Sequence, residues 1–227
     1  MAAEWFWGDR AGFEAFIGTS CGRAPGGAMY GVLKRGFDIA AAAGGLCLLL
    51  PLLPFIVALI KLETPGPVLF RQRRVGHCGR LFDCFKFRSM AADAESVKDE
   101  LRHLNEATGA AFKIKDDPRI TGVGRFLRRS SLDEFPQLLN VLRGEMTIVG
   151  PRPQIPSEVA GYSPRDAQRL LVKPGLTCLW QVSGRSHLDF SEWMELDRQY
   201  VAAASPGLDA RILVRTLPAV IQRKGAY

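Results

Sequence analysis

One stretch of the sequence, Arg128 to Asn140, sets acidic and basic side chains next to each other in a pattern that could do chemistry. It reads R-R-S-S-L-D-E-F-P-Q-L-L-N, so that Asp133 and Glu134 follow closely behind an arginine pair. Neighbouring cations favour the ionised form of a carboxyl group. An ionised carboxylate in a basic pocket can act as a nucleophile or hold a divalent metal ion. Asp133 and Glu134 are therefore the candidate catalytic residues, and Asp133 is the candidate metal ligand.

A short helix directly after the acids must position them. Apolar residues between Phe135 and Leu142 recur at helical spacing, and Gly144 is a natural stop. Two starts are open. Ser131 with Glu134 fits a capping box, which would place the first acid in the first turn. Pro136 prefers the first helical position, which would leave both acids just outside the helix. Either start places the acids near the positive end of the helix dipole, which also favours ionisation.

Basic residues bracket the acids on both sides, as an anionic substrate would require. A capping glutamate and a surface aspartate would be the simpler explanation of an S-x-x-E pattern alone, and a strand that ends in Lys and Arg is commonly a solvated edge. The number of cations around this one pair favours phosphate binding instead. The candidate phosphate contacts are Lys86, Arg88, Arg119, Arg125, Arg128 and Arg152.

Three motifs in order carry a resemblance to a known family. They are D-P-R-I-T from Asp117, G-R-F-L-R-R-S-S-L-D-E-F-P-Q-L-L-N-V-L from Gly124, and V-G-P-R-P from Val149. This order resembles the bacterial monotopic phosphoglycosyltransferases, in which a sugar-1-phosphate moves from a nucleotide sugar to polyprenyl phosphate. The resemblance runs from about Lys34 to the C-terminus.

The resemblance implies a mechanism and assigns roles within it. It implies that Asp133 attacks a UDP-sugar and that UMP leaves. The phosphosugar then stays bound to the carboxylate until polyprenyl phosphate takes it. The resemblance also implies that Mg²⁺ assists the reaction. It also gives Asp197, within D-x-x-Y-V, a supporting place at the substrate site. The L-W-Q-V-S-G-R segment looks like that of enzymes that begin exopolysaccharide repeats with glucose or galactose. Cys178 stands where the family usually has glycine, so the choice of sugar is left open.

A membrane segment is indicated by Ile39 to Ile60, which contains no charged residue. Its length is close to the roughly 20 apolar residues that a spanning helix needs. Pro51 and Pro54 interrupt it near the middle, where proline breaks a helix. Basic residues flank both ends, at Lys34–Arg35 and again from Lys61 to Arg74, and a straight span would place one of these groups outside, against the positive-inside rule. We therefore predict a re-entrant hairpin, as the resemblance also implies.

Composition restricts the remaining possibilities. The chain has 227 residues with 30 Lys and Arg against 23 Asp and Glu, so its net charge of +7 favours anionic partners. No zinc-finger spacing, basic-zipper heptad or aromatic RNA-binding signature occurs, which argues against nucleic acid. The five cysteines are odd in number and lack a CxxC pair, so we expect neither a disulfide nor a zinc site.

The predicted fold class is α/β (α+β), mostly helical. Residues 1–30 form a variable lead-in, 31–67 the membrane hairpin, and 68–227 a small cytosolic catalytic domain that ends in an interfacial helix. A strand hairpin is expected from Val68 to Phe87, with its turn around Gly76 and Gly79. The expected helices are Asp93 to Glu106, Ser163 to Leu171, Phe190 to Ala203, and the amphipathic Ala210 to Ile221.

These expectations place the protein on the cytoplasmic face of a bacterial inner membrane. Its partners would be a UDP-sugar, polyprenyl phosphate and membrane lipid, and a homo-oligomer stays open. The alternative from another class is a membrane-surface scaffold that binds anionic lipid and catalyses nothing. A scaffold explains the hairpin and the positive charge, but it does not explain adjacent acids inside the basic cluster.

Overall fold

The computed structural model describes residues 21, 26–91, 93–94, 96–97, 100–106, 114, 116–184 and 188–221. In this part of the chain the α-helices are α1 (Gly27–Leu49), α2 (Leu53–Glu63), α3 (Gly122–Arg129), α4 (Gln137–Arg143), α5 (Pro156–Val159), α6 (Phe190–Ala203) and α7 (Pro206–Ile221). The strands are β1 (Leu69–Val75), β2 (Leu81–Phe87), β3 (Thr147–Val149) and β4 (Gly175–Thr177). Short 3-10 helices lie at His77–Gly79, Arg102–Leu104, Leu132–Glu134, Asp166–Leu171 and Trp180–Val182.

The apolar run is broken where its prolines stand. Helix α1 ends at Leu49, α2 begins at Leu53 with Pro54 in its first turn, and the two axes are bent by 64°. Among the described residues no helix by itself is both long and apolar enough to cross a membrane, and only this bent pair meets both conditions together. Large apolar side chains around the bend are 46–85% exposed: Leu48, Leu50, Leu52, Phe55, Leu59 and Leu62.

Both helices of the bent pair pack on the rest of the chain. In the second half of α1, the fully buried Ala42 joins Val141 of α4 and Ile212 of α7 in one hydrophobic cluster. In α2, Ile60 packs in a second cluster with Phe87 of β2. Helix α1 therefore contributes to the domain core, although the sequence predicts a hairpin that begins at residue 31 as a separate unit.

Two small sheets frame the site. Strands β1 and β2 pair antiparallel with Leu69 opposite Phe87, which confirms the predicted strand hairpin. Strands β3 and β4 pair in parallel, with Thr147 opposite Gly175. Helix α4 packs against both β2 and β3, so the residues just before α4 lie close to the end of β2.

Two of the other predicted helices agree with the structure and two do not. Helix α6 has the predicted bounds, and α7 contains the predicted C-terminal helix. Where Ser163 to Leu171 was expected to be α-helical, the structure has a 3-10 helix, with Ser163 Oγ bonded to Asp166. The prediction of a helix from Asp93 to Glu106 is wrong for the described part of that stretch, which forms turns and one 3-10 turn.

The mixture of helices with small sheets agrees with the predicted α/β class, and the lead-in, residues 1–30, lies mostly outside the described residues. One expectation from composition is wrong. The structure joins Cys21 to Cys78 in a disulfide, with their Cα atoms 6.0 Å apart. The number of cysteines and the lack of a CxxC pair did not reveal this disulfide, because its two cysteines are 57 residues apart.

Candidate active site

The two acids lie on a short 3-10 turn, Leu132–Glu134, directly before α4. Helix α4 begins at Gln137, so Pro136 is its N-cap residue and not the first helical residue, and Ser131 makes no side-chain capping bond. Both acids lie outside the α-helix, as the second of the two sequence alternatives predicted. Ser131 has a φ of 57°, a left-handed conformation that costs free energy in a residue other than glycine. This turn buries Asp133, which is 7% exposed.

Glu134 is clamped by two cations. Arg152 approaches it with both terminal nitrogens, Nη2 at 2.6 Å from Oε1 and Nη1 at 3.3 Å from Oε2. Lys86 Nζ, from the end of β2, lies 2.7 Å from the same Oε1. The structure thus brings together residues that are 48 and 18 positions from Glu134 in the sequence.

The surroundings shift the two carboxyl groups in opposite directions. For Glu134, burial would raise the pKa, but the charges of Arg152 and Lys86 outweigh it and hold the pKa well below its usual range. For Asp133, burial raises the pKa to about 6, Lys86 and Arg128 oppose the shift, and the charge of Glu134 adds to it. The cations around Asp133 favour its ionised form, as expected, but burial outweighs them, so the net shift of its pKa is upward.

Helix α3 supplies the second cation near Asp133. Burial lowers the pKa of Arg128, and the charge of Asp133 opposes that shift. Arg128 Nε donates to Ser89 Oγ at 2.9 Å. This contact depends on Gly124, since a Cβ there would lie 1.9 Å from the Ser89 carbonyl oxygen. Arg125 lies one turn earlier on α3 and is exposed to solvent.

Two predicted phosphate contacts are engaged elsewhere. Arg119 forms a buried pair with Asp117, with Nη2 2.6 Å from Oδ2. Arg88 is 7% exposed and donates to the backbone carbonyls of Pro65 and Thr64, at 2.6 Å each, where α2 ends. In the described structure Arg88 therefore joins the bent helix pair to β2, and Arg119 braces the loop before α3, instead of facing the acids.

Arg152 belongs to a segment, residues 149–154, in which several backbone carbonyl groups accept hydrogen bonds from side chains elsewhere in the chain. Val149 O accepts from Lys34 Nζ at 2.8 Å. Pro153 O accepts from Arg74 at 2.7 Å. Arg152 O accepts from Arg169 Nη2 at 2.7 Å. This segment has few donors of its own because it contains two prolines, and the donors from outside fix the position of the Arg152 side chain.

Helix α6 reaches the same segment through the D-x-x-Y-V motif. Tyr200 Oη donates to Val149 O at 2.9 Å. Asp197, fully buried, lies with Oδ2 2.6 Å from Arg169 Nη2. The geometry of this pair is not that of a hydrogen bond, so both Asp197 oxygens lack a hydrogen-bond partner in the described part of the chain. Burial raises the pKa of Asp197 to about 6, against the charge of Arg169. Asp197 thus lies behind the site, in a supporting position.

Two residues that the sequence analysis missed also hold the site. Asn140, fully buried on α4, accepts from Phe85 N at 3.1 Å and donates to Asp83 O at 2.7 Å, which fixes β2 beside the acids. Asp38, on α1, accepts from Ile148 N at 2.9 Å. A charged residue just before an apolar run could have been a signal for Asp38, since buried charges are rare without partners.

The residues present fit a Mg²⁺ ion only with help from a substrate. Glu134 is already paired with two cations, which leaves Asp133 as the available carboxylate. The described residues contain no cluster of three acidic ligands here. Mg²⁺ commonly binds one or two carboxylates together with substrate phosphates and water. Asp133 with a bound diphosphate would meet that requirement.

Taken together, a buried carboxyl group, a clamped neighbour and converging cations define a site for chemistry on a phosphorylated substrate. Comparison with known proteins agrees. The family model described as bacterial sugar transferase matches residues 29–223. The chain belongs to this family, which confirms the resemblance drawn from the motifs.

Several curated relatives carry descriptive names. The exopolysaccharide production protein ExoY of Rhizobium meliloti is 43% identical over 201 residues, 87% of this chain and 89% of ExoY. The undecaprenyl-phosphate galactose phosphotransferase of Salmonella typhimurium is 42% identical, over 86% of this chain and 42% of that protein. The undecaprenyl-phosphate glucose phosphotransferase of Komagataeibacter xylinus is 40% identical, over 86% and 37%. The chain thus spans less than half the length of the last two.

Family membership and these names together identify an enzyme of the phosphoglycosyltransferase class, as the sequence predicted.

Proposed function

We propose that this chain transfers glucose 1-phosphate or galactose 1-phosphate from a UDP-sugar to undecaprenyl phosphate, as the first membrane step of exopolysaccharide synthesis. The observation that carries the proposal is the buried Asp133 carboxyl beside a glutamate held by Lys86 and Arg152. The names of the galactose and glucose phosphotransferases supply the acceptor and the two sugars.

In the first step an Asp133 oxygen attacks the β-phosphorus of the UDP-sugar. A bond forms between the carboxylate and that phosphorus, the bond from phosphorus to the bridging oxygen breaks, and UMP leaves with the electron pair. A pKa of about 6 keeps Asp133 largely ionised at neutral pH, yet more basic than an ordinary aspartate. Arg128 and Lys86 are placed to offset the negative charge that gathers on the phosphoryl oxygens.

In the second step an oxygen of undecaprenyl phosphate attacks the same phosphorus and the Asp133 carboxylate leaves. This acceptor oxygen is already ionised, so the step needs no general base. Glu134 is unsuited to that role, because two cations hold its pKa below the usual range. We therefore assign Glu134 the task of fixing Lys86 and Arg152 at the site. Asp133 would hold a Mg²⁺ ion, which would supply further charge neutralisation at the phosphates.

The bent helix pair supports a membrane hairpin with both ends on one side. Glu63, at the end of α2, accepts from Gly122 N at 2.7 Å, and Tyr30, in the first turn of α1, donates to Asp209 of α7 at 2.8 Å. Both ends thus contact the same folded domain. The 11 residues of α2 span about 16 Å, roughly half of the 30 Å hydrocarbon core. The exposed leucines near the bend are suited to lipid.

Product formation by the purified protein tests the proposal. With undecaprenyl phosphate and Mg²⁺ it should convert UDP-glucose or UDP-galactose into UMP and a lipid-linked diphosphosugar, with UDP-N-acetylglucosamine as the comparison. Asp133→Asn should lower the rate at least about 10³-fold. Asp83→Asn is the matched control, because Asp83 is a half-exposed acid on β2 and its pair with Arg73 lies at the surface.

The scaffold alternative predicts a different result. A protein that only binds anionic lipid would bind vesicles normally and release no UMP from any UDP-sugar. The ion pairs of Glu134 argue against the scaffold alternative. A lipid-binding surface would leave Lys86 and Arg152 free to bind headgroups, whereas here both are paired with the Glu134 carboxylate.

A further inference from the structure

A second group of reactive side chains lies at the turn between β1 and β2. Cys21, His77 and Cys78 each offer one ligand atom, and these atoms lie within 4.8 Å of one another. All three residues are half-buried. The group takes no part in the reaction proposed above.

The distance between His77 and Cys78 suits a shared metal ion. His77 Nε2 lies 3.3 Å from Cys78 Sγ. For tetrahedral zinc, with Zn–S near 2.3 Å and Zn–N near 2.0 Å, the two ligand atoms are about 3.5 Å apart. Small changes of the side-chain torsions would accommodate the ion.

His77 is also oriented as a metal ligand would be. Its Nε2 faces Cys78 Sγ, and the backbone of Leu171 lies near the ring. Metal-binding histidines almost always donate their second ring N–H to a carbonyl or carboxylate, which fixes the tautomer.

The backbone conformation keeps these two neighbours together. Cys78 has a φ of 55°, one of two non-glycine residues with positive φ in the described chain, the other being Ser131 beside the catalytic acid. Such conformations cost free energy and cluster at functional sites. Here the left-handed turn lets consecutive side chains reach the same point.

We propose that, in its reduced form, the protein binds one Zn²⁺ ion through Cys21, His77 and Cys78. A disulfide is seldom kept in the cytoplasm, and paired cysteines in a cytoplasmic enzyme more often bind metal. The ion would hold residue 21 to the turn that follows β1. Gly76, next to His77, lines a cleft that Arg152 also lines.

Reduction and metal binding occur in sequence. A thiol or phosphine reductant gives two electrons to the Cys21–Cys78 bond and is itself oxidised, and the two sulfurs become thiols. Zn²⁺ then displaces two protons, and the sulfurs separate from about 2 Å to about 3.8 Å. Two thiolates balance the charge of the ion.

Zinc binding to the purified full chain tests the proposal. After reduction with a phosphine, zinc content by mass spectrometry should reach one equivalent, and competition with a chromophoric chelator should give the affinity. Cys21→Ser, His77→Ala and Cys78→Ser should each weaken binding at least tenfold. Cys47→Ser and His103→Ala are matched controls, because both residues are exposed and lie outside the group.

Replacement of zinc by Co²⁺ gives an independent readout. A thiolate-to-cobalt charge-transfer band should appear in the reduced wild type and disappear in Cys78→Ser. The proposal is overturned if the reduced protein binds no zinc, or if the three variants bind it as the controls do. UMP release measured in parallel keeps this result separate from the proposed transferase activity.

Discussion

Asp133 and Glu134 are adjacent in the chain, yet their contacts give them different chemistry. Glu134 faces two cations at hydrogen-bond distance and stays ionised. Asp133 is buried, carries the negative charge of its neighbour close by, and has a pKa raised to about 6. Two carboxyl groups whose surroundings shift their pKa values in opposite directions commonly have different roles in one active site. In the proposed mechanism, Asp133 is the reactive group and Glu134 is its fixed support.

This division predicts opposite effects of neutral substitutions on stability. The folded pKa of Asp133 lies above the ordinary value of 3.8, so its ionisation opposes folding and the penalty is fully present above about pH 6. Asp133→Asn removes the penalty and should stabilise the protein by on the order of 2 kcal/mol at pH 8. The gain should vanish as the pH falls towards 4. Thermal unfolding in detergent at several pH values measures it.

Glu134→Gln should have the opposite effect on stability and should destabilise the protein at pH 8. The folded pKa of Glu134 is lowered, so its charge stabilises the fold above the ordinary value of 4.5, and that contribution is lost as the pH falls. The variant should unfold at a lower temperature at pH 8 than the wild type. If both variants change stability in the same direction at pH 8, the assigned pKa shifts are wrong.

At the scale of elements, α6 braces the segment that carries Arg152. Asp197 and Tyr200 are three residues apart, on one face of the helix. Tyr200 bonds to Val149 O directly, and Asp197 reaches Arg152 O through Arg169. The D-x-x-Y spacing thus explains how a helix distant in sequence sets the place of the cation on Glu134.

Asp197→Asn should therefore slow the reaction. It removes the counter-ion of the buried Arg169, whose side chain holds the Arg152 carbonyl. Arg152 should then be less firmly placed, so kcat should fall by at least tenfold even in protein that is folded. Glu195→Gln, on the same helix but at the surface, should change neither unfolding temperature nor UMP release. Wild-type kcat in a folded Asp197→Asn variant would refute the bracing role.

Patterns local in sequence were predictable from the chain. The spacing from Phe135 to Leu142 gives α4, and alternation gives β2 and its turn. The stretch from Asp93 to Glu106 has helical spacing of apolar residues but forms turns in its described part, because such spacing alone does not supply the packing that stabilises a helix.

The polar contacts of the site were less predictable. The sequence showed that Lys86 and Arg152 are basic, but not that both meet Glu134 while Arg88 holds carbonyls at the end of α2. These choices depend on contacts between residues far apart in the chain. Likewise, the burial that raises the pKa of Asp133 comes from the packing of several elements and leaves no signal in local charge.

At the scale of the whole molecule, the bent pair α1 and α2 starts and ends on the same domain. Arg35 donates to the carbonyls of Val141 and Leu142 at the end of α4, and Glu63 caps the start of α3. A helix pair that crossed a bilayer would have to break one of these sets of contacts. These contacts support the proposed hairpin, which would enter and leave the membrane by one face.

Labelling from each side tests this topology. Single cysteines at Met29 and Arg73, both exposed, should react from the cytoplasmic side only, in a background where Cys21, Cys47 and Cys78 are serine. Replacing Pro51 and Pro54 by leucine should straighten the run and move one label to the other side in part of the population. Opposite-side labelling of the unsubstituted hairpin would show a true span.

The central claim is that Asp133 carries the phosphosugar between the two steps, and trapping that adduct tests it most directly. The enzyme is mixed with UDP-glucose or UDP-galactose and Mg²⁺ without lipid acceptor, and intact-protein mass spectrometry follows. We expect about one equivalent of UMP per enzyme and a hexose-phosphate adduct on the peptide that contains Asp133, absent in Asp133→Asn. An adduct on another residue, or no adduct together with UMP release that strictly requires the acceptor, would contradict the covalent mechanism.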